Sequence, residues 1–102
     1  MKYYLCRLIP PRPSFPQDMT EAEKRIMGEH VAYWTALAES GTAIVFGPVA
    51  DPNGVWGMVI LEAEDEAQVR ALTAGDPVMR AGIGAKYEIL SMPRAVIGKK
   101  RQ

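Results

Sequence analysis

The segment AIVFGPVADPNGVWGMVIL, residues 43–61, decides the fold. Its two apolar runs, Ala43 to Val49 and Val55 to Leu61, have strand composition, and Ala50-Asp51-Pro52-Asn53-Gly54 between them carries a proline and an Asn-Gly pair suited to reversing the chain. A β-hairpin is predicted. Neither run alternates cleanly, because Ile44-Val45-Phe46 and Met58-Val59-Ile60-Leu61 put apolar side chains on both faces, the pattern of strands covered on both sides. Whatever sheet this hairpin joins needs two covers.

On the N-terminal side, Lys2 to Ile9 alternates apolar and long polar residues and stops at Pro10-Pro11, which predicts a strand. Prolines at 10, 11, 13 and 16, with Arg12 and Phe15 among them, predict a stiff extended loop to Met19 with neither helix nor interior strand. Thr20-Glu21-Ala22-Glu23 has the form of a capping box. The helix it opens carries Ile26, Met27, Val31, Trp34, Leu37 and Ala38 at helical spacing and stops at Gly41. On the C-terminal side, Asp65-Glu66-Ala67-Gln68 opens a shorter helix with Val69 and Leu72 on one stripe and Gly75 at its end. Asp76-Pro77 can cap one further turn before Gly82, and Ala85 to Leu90 alternates as a last strand.

The order βαββαβ is that of an α+β, ferredoxin-like domain, an antiparallel sheet with both helices on one face. This domain is expected to span residues 1–92, with 93–102 a basic tail ending Lys99-Lys100-Arg101 that solvent surrounds more readily than a phosphate does. No segment remains to cover the second face of the sheet, so a second copy of the chain is the economical cover and a homodimer is expected.

Composition narrows the function classes. A chain of 102 residues with 48% apolar and 24% charged residues has room for one globular core, so any active site lies within one small fold or between copies. Twelve basic and twelve acidic residues cancel, which leaves no field to gather nucleic acid or anionic lipid. No apolar run approaches the roughly 20 residues of a membrane span, and Arg7 interrupts the start where a secretory signal needs an apolar stretch, so a cytoplasmic location is expected. Cys6 is the only cysteine, which rules out an internal disulfide and CxxC chemistry and suits a space-filling role. Phosphate-cradling loops, HExxH helices and GxSxG elbows are missing, and with one histidine a metal centre is not expected; nor is any cofactor.

His30 is that histidine, and helical geometry sets it between Trp34 and Leu37, near the middle of the apolar stripe. An imidazole there must satisfy its ring nitrogens, and burial disfavours the charged ring, leaving a neutral base near physiological pH. Two roles are open to it: a core histidine bonded to a backbone carbonyl, or a general acid–base. Asp76 likewise is either a helix cap before Pro77 or, since its connection can approach the first helix, a carboxylate that orients the His30 ring and raises its basicity. Arg12 and Phe15 are surface loop residues or, as forked donor and apolar lid, close over a small anionic or aromatic ligand. Gly47-Pro48 is a turn or a pocket wall of little bulk. The candidate substrate-binding set is thus Arg12, Phe15, Trp34, Gly47 and Pro48, around a candidate catalytic pair His30 and Asp76.

Glu29-His30-Val31 in a helix, Gly47-Pro48 after a strand, Gly57-Met58-Val59-Ile60-Leu61-Glu62 in the next, and Gly75-Asp76-Pro77 before Ala81-Gly82 together resemble the YCII-related family of dimeric α/β-barrel proteins. The likeness runs from about Tyr3 to Met92 and rests on the order and spacing of the pieces. It implies a ferredoxin-like domain dimerising through its sheets, and a cavity with a histidine–aspartate acid–base pair whose matching positions are His30 and Asp76. The proline-rich loop departs from the family pattern. Because that loop helps shape the cavity, the resemblance does not carry over a substrate, the dehydrochlorination of a chlorinated hydroxyquinol known in the wider family included. A cofactor-free lyase or isomerase, a metabolite-binding module and a ligand-free structural dimer are the functions open at this point.

Overall fold

In a computed structural model describing residues 1–99, the chain runs β1 (Lys2–Ile9), α1 (Phe15–Asp18), α2 (Glu21–Glu39), β2 (Ala43–Val49), β3 (Trp56–Ala63), α3 (Glu66–Ala74), α4 (Pro77–Arg80) and β4 (Lys86–Met92). The strands pair antiparallel in the order β2-β3-β1-β4, so the fold is the expected α+β, ferredoxin-like plan with two single-turn helices, α1 and α4, added. α1 corrects the expectation that the proline loop holds no helix. Pro16 sits in its first turn, where a proline's missing amide costs no intrahelical bond. Of the basic tail, Lys100 and Arg101 lie outside the described residues.

Local chemistry fixes the helix ends. The Thr20 hydroxyl accepts from the Glu23 amide at 3.1 Å while the Glu23 carboxylate accepts from the Thr20 amide at 2.9 Å, both halves of a capping box. After α2 the chain turns at Gly41, whose φ of +87° a side chain would resist. Asp65 caps α3 through the Gln68 amide. Gly75 ends α3 at a close approach: a Cβ there would stand 2.7 Å from the Tyr33 hydroxyl, which donates to the Leu72 carbonyl and ties α3 to α2. That tie places the next residue, Asp76, beneath α2.

One face of the sheet carries the core. Tyr4 and Cys6 of β1, Val59, Leu61 and Ala63 of β3, and Ala43 of β2 pack against Trp34 of α2 and Val69 of α3. Burial pushes the Cys6 thiol up to about 11, so it is no thiolate at neutral pH. Among the described residues nothing covers the other face. The register sets Val45 opposite Ile60, Ile60 opposite Leu5, and Leu5 opposite Leu90, an apolar row crossing all four strands, with Val45 45% and Leu90 49% exposed. Beside that row Arg7 pairs with Glu88 at 3.2 Å and its guanidinium lies 4.4 Å over the Trp56 ring. Among the described residues no helix is long and apolar enough to cross a membrane.

Candidate functional site

α2 lies against both β2 and α4, and its buried stripe faces the turn that carries Asp76. His30 and Trp34, one helical turn apart, point the same way. Asp76 is wholly buried, and its two oxygens do separate work. Oδ1 accepts from the Val78 amide at 2.9 Å and so caps α4. Oδ2 lies 2.7 Å from His30 Nδ1, and accepts from Trp34 Nε1 at 2.9 Å and from the Tyr87 hydroxyl at 2.6 Å. The cap and the histidine partner, alternatives in the sequence, are the same carboxylate.

Electrostatics follow from those bonds. Burial alone pushes the Asp76 carboxyl up, but donation from His30, Tyr87, the Val78 amide and Trp34 outweighs it and holds the group below the ordinary aspartate value. Asp76 is therefore ionised at neutral pH. Tyr87 moves the opposite way: burial and then the Asp76 charge push its hydroxyl far above the usual range, so it stays a donor. Facing a carboxylate, His30 carries a proton on Nδ1, so Nε2 is the nitrogen left to meet a ligand.

His30 borders a cavity of about 240 Å³ between α2, the proline loop and the turn end of the hairpin. Phe15 and Met19 close it from the loop, Met27 and Val31 from α2, and Phe46 and Pro48 from β2. Val31, assigned by periodicity to the packed stripe, is half exposed because it stands at this opening. Among the described residues no three His, Cys, Asp or Glu side chains converge as a metal ion would need.

The YCII-related domain family matches residues 1–93. The chain belongs to that family. Among solved structures, 5-chloro-2-hydroxyhydroquinone dehydrochlorinase (TftG) from Burkholderia phenoliruptrix AC1100, in complex with 2,5-dihydroxybenzoquinone, is similar with a TM-score of 0.61 at 22% identity, over 93% of this chain and 95% of that one. At that identity the likeness is one of fold. No curated protein matches the sequence.

In this YCII-related chain the structure gathers most of the residues singled out by sequence. His30, Phe15, Trp34, Gly47 and Pro48 border one cavity, and Asp76 sits behind His30. Arg12 is not among them. Its guanidinium donates to both oxygens of Glu23, at 2.8 and 2.9 Å, and to the side chain and carbonyl of Asp18 at 2.9 and 3.0 Å. Tyr87 went unnoticed in the sequence, where it is one apolar position of an alternating strand. The available signal is general: a tyrosine facing a core must find its hydroxyl a partner.

Proposed function

We propose that this YCII-related chain is a cofactor-free acid–base enzyme, of lyase or isomerase type, acting on a small polar or aromatic molecule held against His30. The observation that carries this is the 2.7 Å approach of His30 Nδ1 to the buried Asp76 Oδ2, with the ring bordering a cavity. Nε2 takes a proton from an acidic C–H or O–H of the substrate, and the bonding pair moves onto the substrate. The imidazolium so formed faces an ionised carboxylate that three other donors already hold in place. Returning the proton to a second substrate atom completes an isomerisation; giving it to a leaving group completes an elimination. The ring-shaped ligand named for the dehydrochlorinase complex supports a small cyclic substrate of some kind.

The working unit in this proposal is a homodimer closed through the uncovered sheet face. The apolar row Val45, Ile60, Leu5 and Leu90, exposed at both ends and half-buried between them, supports it, since such a row gains most from a second apolar surface. The sealed, reduced Cys6 suits a cytoplasmic setting. Sedimentation equilibrium is expected to give a dimer for the natural chain and a monomer for Leu90→Lys.

The acid–base step is tested by hydrogen exchange. In D2O the chain is expected to accelerate exchange at the benzylic carbon of 2-tetralone, and His30→Ala to return the rate to that of buffer while keeping the circular dichroism of the parent. Equal rates in parent and variant, or no acceleration by the parent, would end the proposal. A binding module without chemistry is the second reading, favoured because among the described residues no lysine, arginine or amide side chain stands around the cavity to steady an oxyanion. Mass spectrometry of ligand recovered after incubation separates the two, because a binding module returns it unchanged.

A further inference from the structure

The residues around the cavity say more about its ligand than the pair at its base. Among the described residues, the only lining side chains with a polar group besides His30 are Trp34 and Tyr87, and both already donate to Asp76. Among the described residues no lysine, arginine, serine, threonine, asparagine, glutamine or carboxylate lines it. Pro10, Pro11, Pro16 and Pro48 stand at the wall and offer a ligand no amide hydrogen. The nearest cation on the lid, Arg12, is taken up by Glu23 and Asp18. Arg7 pairs with Glu88 on the uncovered sheet face.

We infer that the cavity selects an uncharged, largely apolar ring compound that presents one hydroxyl or one acidic C–H to His30 Nε2, and rejects carboxylates and phosphates. This narrows the substrate of the proposed acid–base site and rests on that proposal for what happens after binding. A carboxylate buried here would lose its water and gain at best one donor. The ionised Asp76 carboxylate stands directly behind His30, and an anionic ligand would place a second negative charge beside it. A neutral hydroxyl instead donates to Nε2 and leaves the rest of its ring on proline, methionine and phenylalanine surfaces. Size agrees with one substituted ring or two fused ones: an apolar cavity of about 150 Å³ holds benzene, and this one is about 240 Å³. That scales to roughly ten non-hydrogen atoms.

Calorimetric titration of the full chain at pH 7 with three probes of matched skeleton tests the inference: 4-propylphenol, propylbenzene and 4-propylbenzoate. The phenol is expected to bind most tightly, propylbenzene about tenfold more weakly, and the benzoate at least a hundredfold more weakly. In His30→Leu, which has no acceptor, the phenol should fall to the level of propylbenzene, whose affinity stays put. A benzoate that binds as tightly as the phenol overturns the inference, and so does a phenol that does not bind. These outcomes are separable from failure of the acid–base step. Phenol preference without His30-dependent tetralone exchange leaves a binding site of this class and no enzyme; exchange with benzoate preference leaves the enzyme and removes the class.

Discussion

Two carboxylate clusters stand a short distance apart in this chain, one under the cavity and one on its rim, and they differ chiefly in their access to water. On the rim, Glu23 and Asp18 share the full positive charge of Arg12, whose side chain is 34% exposed. Under the cavity, Asp76 has no permanent cation, only three side-chain donors and one amide, yet nothing of it is exposed. Counting formal ion pairs would rank the rim higher. Exposed pairs are screened and cost side-chain freedom, whereas a buried carboxylate that loses a donor has no water to replace it. The sealed cluster should therefore govern both folding and chemistry, and the rim should serve mainly to seat the lid.

Asp76→Asn is the sharpest way to break that ranking. The asparagine can keep its carbonyl on the Val78 amide, but its NH2 then faces Trp34 and Tyr87 donors and asks His30 Nδ1 to accept. The imidazole must move its proton to Nε2, where a base is needed. A loss of about 2–4 kcal/mol is expected in urea unfolding, with tetralone exchange down by roughly a thousandfold, as for other histidines set in the wrong tautomer. In the parent, the Asp76 carboxyl lies lower folded than unfolded, so its contribution is complete above about pH 4 and is lost as pH falls through the folded value. The variant should lack that part of the acid transition. Tyr87→Phe comes next: it removes one bond to a buried charge and leaves the others, so about 1.5–2 kcal/mol is expected by the same measurement. Its effect on exchange should be smaller than that of Asp76→Asn, because His30 keeps its tautomer.

The same contrast explains what the sequence disclosed. Elements written in short-range chemistry were legible: the capping box at Thr20, the Asn-Gly loop of the hairpin, and the glycine stop at Gly41. The unbroken apolar runs of the hairpin correctly marked a sheet with side chains for two faces. His30 and Asp76 stood out because each broke a local rule, one as an imidazole on an apolar stripe and the other as an acid between glycines. Tyr87 broke none, and its role depends on contact with a residue 11 positions earlier across a sheet edge. The short helix α1 was hidden by prolines that count against helix in general but not in a first turn. The sequence leaves Arg12 open between a surface residue and a ligand donor because nothing local reveals that Glu23, which also closes the cap, has room for it as well.

Arg12→Gln carries the smallest expected effect and decides the role of the rim. Arg12 first, then the Thr20 amide, draw the Glu23 carboxyl down to about 2, so what the pair adds to stability is present above the ordinary glutamate range and is lost as pH falls from about 4 toward 2. Replacing Arg12 should flatten that part of the acid unfolding curve and change thermal stability at pH 7 by less than Tyr87→Phe does, with the remaining difference shrinking in high salt. Because the guanidinium also lies 5.3 Å over the Phe15 ring, the lid should loosen and 4-propylphenol should dissociate faster. The preference for phenol over benzoate should not move. If Arg12→Gln instead weakened benzoate binding selectively, the arginine would be leaving Glu23 to meet anions, and the rim would be part of the binding machinery after all.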